Sequence, residues 1–222
     1  FLLESVEGGE RLARYSFIGA EPYRILKTGS GELGGAVDPL IALKAELDKY
    51  TLVPVSGLPR FHGGAVGYLT YDVVRYFETR VTTPSKDPLV LPESVFMFTD
   101  TLLVFDHVKH TIKVVSHAYV QDDLENSYKD AVARIDKLVD RLRGSLPELA
   151  TESGISASNR GQPTTSNFTW EEYEAAVFRA KEHIYAGDII QVVLSQRLAR
   201  KTEANPFQIY RALRAVNPSP YM

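Results

Sequence analysis

The sequence predicts an α+β protein built on antiparallel β-sheets with flanking helices. Three observations carry that expectation. Residues 1–120 are dominated by β-branched and aromatic runs cut by turn residues, residues 124–142 carry a helical apolar repeat, and the pattern after residue 168 reads helix, strand, helix. The expected organisation is a β-rich N-terminal domain over 1–143, an exposed connection over 144–167, and the start of a second domain over 168–222.

Taken in order, Phe1–Val6 and Arg14–Ile18 read as short strands separated by the turn signal Glu7-Gly8-Gly9-Glu10. Four glycines within Gly29–Gly35 mark a hairpin tip or loop. Asp38 stands as an N-cap before Pro39, and Leu40, Leu43 and Leu47 follow at helical spacing, so Pro39–Tyr50 reads as a short helix. Gly63-Gly64-Ala65-Val66-Gly67 lacks the Gly-Lys-Ser/Thr ending of a phosphate loop and reads as a strand lying close on another backbone. Ser94–Phe105 and Thr111–Tyr119 are the clearest hairpin, joined through Asp106–His110.

Leu124, Tyr128, Val132, Ile135, Val139 and Leu142 then form one apolar stripe among charges. Gly144 opens a polar stretch that runs to Asn167. Order resumes at Thr169, whose spacing to Glu172 is that of a capping box. The helix it starts carries Tyr173, Val177, Ala180 and Ile184 and ends near Gly187. Asp188–Leu198 reads as a buried strand, and Asn205-Pro206 starts a last helix that continues to Val216.

Composition narrows the function classes. Twenty-five basic against 28 acidic residues leave a net charge of −3, so there is no basic footprint for nucleic acid or an anionic membrane. The chain has no cysteine, which removes disulfides, thiolate nucleophiles and iron–sulfur ligation. No apolar run approaches the ~18 residues of a spanning helix, and the expected location is the cytoplasm. The five histidines show no recurring metal-ligand spacing beyond a weak His107-x-x-His110 in the hairpin turn. Both termini are apolar where termini are usually polar, so the expectation is a piece of a longer polypeptide.

Three segments invite a functional reading. Leu2-Leu3-Glu4-Ser5 places an acid and a hydroxyl at the end of an apolar run, although it could simply finish a strand. Gln191, Ser195 and Arg197 fall on one face of the expected strand and need polar partners, either a ligand or neighbouring strands. Asn217-Pro218-Ser219-Pro220-Tyr221-Met222 joins stiff backbone to an aromatic and a thioether, which suits an apolar pocket wall as well as a plain tight turn.

The segments FLLES, ARYSFIG, GGAVGYLTYDVVRYFE, AGDIIQVVLSQR and RALRAVNPSPYM, in this order, resemble the large, chorismate-binding subunit of anthranilate synthase across essentially the whole chain. The resemblance implies roughly the first half of that subunit, with its fold incomplete. It implies conversion of chorismate and ammonia to anthranilate and pyruvate with Mg²⁺, in tryptophan biosynthesis. Ammonia would come from a partner glutamine amidotransferase in a hetero-oligomer, and L-tryptophan would inhibit by feedback. Metal ligands and most catalytic groups would lie outside this segment, so the fragment alone is expected to be inactive. Ser5, Pro220, Tyr221 and Met222 would line the tryptophan site, with Glu4, Asn217 and Pro218 close by. Water-using relatives carry a lysine base in the strand where this chain has Gln191, and a neutral amide there suits positioning of an amine nucleophile. Two alternatives stand beside this reading: aminodeoxychorismate synthase, which shares the glutamine-bearing strand, and a non-catalytic amino-acid-binding module.

Overall fold

The computed structural model describes residues 1–4, 14–82, 89–120, 123–145 and 163–222. Two compact units emerge: Phe1–Ser145 together with Arg214–Met222, and a second within Leu146–Leu213. The turn expected at residues 7–10 and most of the connection expected at 144–167 fall outside the described residues.

The first unit holds two antiparallel sheets. Strands β1 (Leu2–Glu4), β2 (Tyr15–Gly19), β6 (Thr101–Asp106) and β7 (Thr111–Ser116) form one, in the order β1-β2-β6-β7. Strands β3 (Arg24–Thr28), β4 (Gly64–Leu69) and β5 (Ser94–Thr99) form the other, in the order β3-β5-β4. The single run read over Ser94–Phe105 is therefore two strands in different sheets, broken at Asp100. Local hydrogen bonds fold that corner. Thr99 Oγ1 donates to the Thr101 carbonyl at 2.9 Å, Thr101 Oγ1 donates to Asp100 Oδ1 at 2.9 Å, and the His117 N–H donates to the Asp100 carbonyl at 2.8 Å.

Burial concentrates where strands are central. Phe98, Leu102 and Val104 are fully enclosed, and Phe17 joins Leu102 and Val104 in a core cluster packed by Phe1, Leu3, Tyr15, Phe61 and Val115. Two of the polar groups taken inside pair as burial demands: Thr28 Oγ1 lies 2.8 Å from Ser94 Oγ, and Asp106 accepts from Arg14 at 2.8 Å; Thr70 Oγ1 is buried without a hydrogen-bond partner among the described residues. At Gly67, β4 and β5 leave no room for a side chain, since a Cβ there would lie 1.8 Å from the Val95 carbonyl oxygen. The glycine-rich run is thus a strand, as its sequence context implies.

Helix α1 (Pro39–Leu47) is capped by Asp38, whose Oδ1 accepts the Leu40 N–H at 2.9 Å. Helix α2 (Leu124–Arg143) packs on β7, burying Ala131. Arg134 ties the two elements by donating to Ser116 Oγ at 2.9 Å and to the His117 carbonyl at 2.7 Å.

In the second unit, α3 (Trp170–Ala186) has the full capping box between Thr169 and Glu172 and ends at Gly187 with φ 81°. Beyond it the structure departs from the sequence reading. Asp188–Arg197 enters no sheet, and the only strand there is β9 (Leu198–Ala199), paired with β8 (Thr165–Ser166). Ile190 and Val193 are 97% and 82% exposed, so this segment is not buried. A strand needs a neighbouring strand for its backbone groups, and among the described residues no strand pairs with Asp188–Arg197. Helix α4 (Pro206–Val216) starts as expected, with Asn205 Oδ1 accepting the Phe207 N–H at 2.8 Å.

Candidate functional site

Strand β1 is the outer edge of its sheet, and edge strands offer unpaired backbone groups. Its inner side pairs with β2, Glu4 facing Ser16. On its outer side the Glu4 N–H donates to the Met222 carbonyl and the Met222 N–H donates to the Glu4 carbonyl, both at 2.8 Å. Two bonds exchanged by the same two residues make a closely spaced antiparallel pair. Met222 thus extends the sheet by one residue, and the two sequence motifs meet.

The residues around that pair set its chemistry. Tyr221 takes a left-handed backbone, φ 56°, and its ring stacks on Phe17 with centroids 6.5 Å apart and planes 26° apart. Phe17 is buried and meets Phe61 edge-on at 5.3 Å, and Phe61 meets Phe1 at 6.3 Å. Arg214, in the last turn of α4, places Nη1 3.5 Å from Glu4 Oε2, with both side chains partly open to solvent. At that separation the two charges are neighbours rather than a locked pair. A carboxylate, a guanidinium and aromatic faces beside a sheet edge can receive a zwitterion with an aromatic side chain.

Glu4, Tyr221 and Met222 are therefore brought together, and Pro218 and Met222 are half-buried while Asn217 and Pro220 are exposed. Ser5 lies outside the described residues. Arg214 and Phe17 were missed by sequence reasoning. The available signal for Arg214 was a cation one helical turn before the Asn-Pro-Ser-Pro segment; Phe17 read only as a core residue.

Gln191, Ser195 and Arg197 belong to the second unit and are exposed, and no ladder sets their facing. The Arg197 N–H donates to Asn167 Oδ1 at 2.7 Å and Gln196 Nε2 donates to Ser166 Oγ at 2.9 Å. An open cleft of about 450 Å³ in this unit is lined by Asn167, Phe168, Glu172, Ala175 and Arg179. Two of its polar groups are engaged in local structure, since Glu172 accepts the Thr169 N–H at 2.8 Å and Asn167 holds Arg197.

His62 and His117 stack with centroids 5.3 Å apart, and His117 Nε2 lies 2.8 Å from the His62 carbonyl. Burial, then the neighbouring His117, pushes the His62 imidazole below its ordinary value. Two imidazoles alone do not complete a metal site. Among the described residues no group of three or more His, Asp or Glu could hold a metal ion, so these residues do not fit a Mg²⁺ centre. No described helix is long and apolar enough to cross a membrane.

The model of the chorismate binding enzyme family matches residues 1–222. Among curated relatives, a Schizosaccharomyces pombe protein named "Probable anthranilate synthase component 1" is 46% identical over 100% of this chain and 44% of its own length. Anthranilate synthase component 1 of Acetivibrio thermocellus is 42% identical over 100% of this chain and 47% of its own length. The crystal structure of anthranilate synthase component I from Streptococcus pneumoniae TIGR4 superposes with a TM-score of 0.77 at 28% identity, over 98% of this chain and 50% of that one. The chain therefore spans about half the length of the relatives it matches. With the match running through every described strand and helix, the chain belongs to the chorismate-binding enzyme family.

Proposed function

We propose that the protein containing this chain is the chorismate-using component of a cytosolic anthranilate synthase, and that this portion carries its L-tryptophan inhibitor site. The reciprocal Glu4–Met222 backbone pair is the observation that carries the inhibitor site. The relationship to anthranilate synthase components, which runs over all of this chain and about half of theirs, supports the reaction: chorismate plus ammonia to anthranilate and pyruvate. A partner glutamine amidotransferase in a hetero-oligomer would supply the ammonia, and Mg²⁺ is assigned to the part of the protein this chain does not span.

In this reading the tryptophan indole lies against Tyr221 and Met222, with Ser5, Asn217, Pro218 and Pro220 forming the rest of the wall. Glu4 receives the ammonium and Arg214 the carboxylate. Because Met222 is held to Glu4 by backbone bonds, a ligand seated on both motifs biases the chain that leaves residue 222. Effector coupling of this kind is typically ~1–3 kcal/mol, roughly five- to 150-fold in affinity. Gln191 contributes separately: its amide cannot remove a proton at ordinary pH, but it can orient ammonia, which already carries its lone pair.

The test uses the full-length protein with its partner subunit, following anthranilate fluorescence with chorismate, glutamine and Mg²⁺ while tryptophan is titrated. Ser5→Phe is expected to raise the half-inhibiting tryptophan concentration by about tenfold or more. Equal sensitivity of variant and wild type overturns the site assignment, and absence of anthranilate from the wild type overturns the reaction.

A further inference from the structure

Four residues distant in sequence converge at a second place in the first unit. Tyr23 lies between β2 and β3, Tyr50 follows α1, Asp100 is the corner between β5 and β6, and Tyr119 follows β7. They line a cavity of about 210 Å³. The Tyr23 ring stands nearly perpendicular to both others, at 80° to Tyr50 and 81° to Tyr119, with centroids 6.4 Å away in each case. Tyr50 and Tyr119 are 5.3 Å apart at 49°. Phe98, fully buried, lies 6.1 Å from Tyr23 and anchors it to the core.

We propose that this three-tyrosine cage with its Asp100 carboxylate is a binding site for a small alkylammonium group. An ammonium is attracted by aromatic faces within ~6 Å of the ring centroid, and these spacings let one cation approach all three rings. Asp100 supplies the opposite full charge, with Oδ2 accepting the Tyr119 hydroxyl at 3.2 Å and Oδ1 accepting Thr101 Oγ1. The other nearby carboxylate, Glu46, is already matched by Arg24 and Lys49. Burial, followed by the Tyr50 phenol and then the Glu46 and Asp100 carboxylates, pushes Tyr23 up to about 12, and burial followed by Asp100 pushes Tyr119 up as well, so these two phenols stay neutral.

Size and access agree. The volume equals roughly seven waters at ~30 Å³ each, which suits an ammonium with a few carbons rather than a drug-sized ligand of ~300 Å³ or more. Tyr23 and Tyr50 remain 41% and 45% exposed, so the cage is open on one side. The site is formed by residues other than those assigned to tryptophan and stands or falls independently of that assignment.

The test is a titration of the full-length protein carrying carbon-labelled tyrosine rings, followed by nuclear magnetic resonance. Tetramethylammonium chloride is compared with sodium chloride at equal ionic strength, with tert-butanol as an uncharged molecule of similar shape, and with Nα-acetyl-lysine amide. Saturable shifts of Tyr23, Tyr50 and Tyr119 are expected with tetramethylammonium or the lysine amide. The tighter of the two tells whether the ammonium is free or borne on a polypeptide side chain. Tert-butanol is expected to bind about tenfold or more weakly, and Tyr50→Ala and Asp100→Asn to weaken the ammonium about fivefold to tenfold. Should Asp100→Asn fail to fold, Tyr50→Ala carries the comparison. No saturable shift with either ammonium, an equal response to tert-butanol, or unchanged binding in Tyr50→Ala overturns the proposal.

Discussion

Replacing Tyr221 by alanine and, separately, by glycine isolates two effects that the wild-type residue combines. Its backbone sits at φ 56°, where a residue with a Cβ is strained by roughly 1–2 kcal/mol. Its ring lies on Phe17 at 6.5 Å, a stack contributing about 0.5–1.5 kcal/mol beyond burial. Both substitutions lose the stack, but only glycine also loses the strain. Glycine gives back about 0.4–1 kcal/mol through its freer unfolded chain, so Tyr221→Gly should exceed Tyr221→Ala in stability by about 0.5–1 kcal/mol. At an ordinary backbone position alanine would win by a similar margin, so the sign alone is diagnostic. Urea unfolding of the full-length protein reads it. Tryptophan titration of anthranilate formation reads the second consequence, a rise of about two- to tenfold in half-inhibiting concentration for both variants, from loss of an indole–ring contact of about 0.5–1.5 kcal/mol converted at 1.36 kcal/mol per decade. Alanine more stable than glycine would refute the left-handed backbone, and unchanged inhibition in both would refute the ring's place in the effector site.

Gly67→Ala drives a Cβ to 1.8 Å from the Val95 carbonyl, backbone against backbone, and should cost about 1–3 kcal/mol or more in urea unfolding; a change under about 0.5 kcal/mol would contradict the close β4–β5 approach. Asp106 is held down to about 2, chiefly by the hydrogen bond from Arg14 and further by the Lys109 and Val108 N–H groups, against the opposing effect of burial. Its folded value lies below the ~3.9 of an unfolded aspartate, so this stabilisation is complete above about pH 4 and is lost as pH falls towards about 2. Asp106→Asn should therefore flatten stability across that window, and acid titration showing an unaltered slope would remove Asp106 as its source. Gln191→Lys, which places a cation where ammonia is to be oriented, should lower ammonia-dependent anthranilate formation by about tenfold or more; an unchanged rate would separate Gln191 from the nucleophile.

Much of the local structure was legible because its causes are local. The Thr169–Glu172 capping box, the Asp38 and Asn205 caps and the Gly187 stop each act within a few residues. The α2 stripe needs only helical periodicity, and β4 reads correctly because several glycines in an apolar run imply a close backbone approach. The break at Asp100 was not legible. The polar triplet Thr99-Asp100-Thr101 is short, apolar runs lie on both sides of it, and threonine is as common in strands as at corners. The run at 188–197 failed for a different reason: its composition states a need for neighbouring strands, not whether the described chain provides them.

By itself, the sequence determined the α+β class, the helix starts, the hairpin over β6 and β7, and the motifs that carry the family relationship, although the helix expected over Pro39–Tyr50 stops at Leu47. Only the tertiary structure decided that Met222 bonds to Glu4, that Arg214 and Phe17 stand beside that pair, and that Tyr23, Tyr50 and Tyr119 surround Asp100. Caps and periodicities follow from interactions a few residues apart. These meetings join residues separated by long stretches of chain, and they exist only because sheet pairing and core burial bring those stretches to one place.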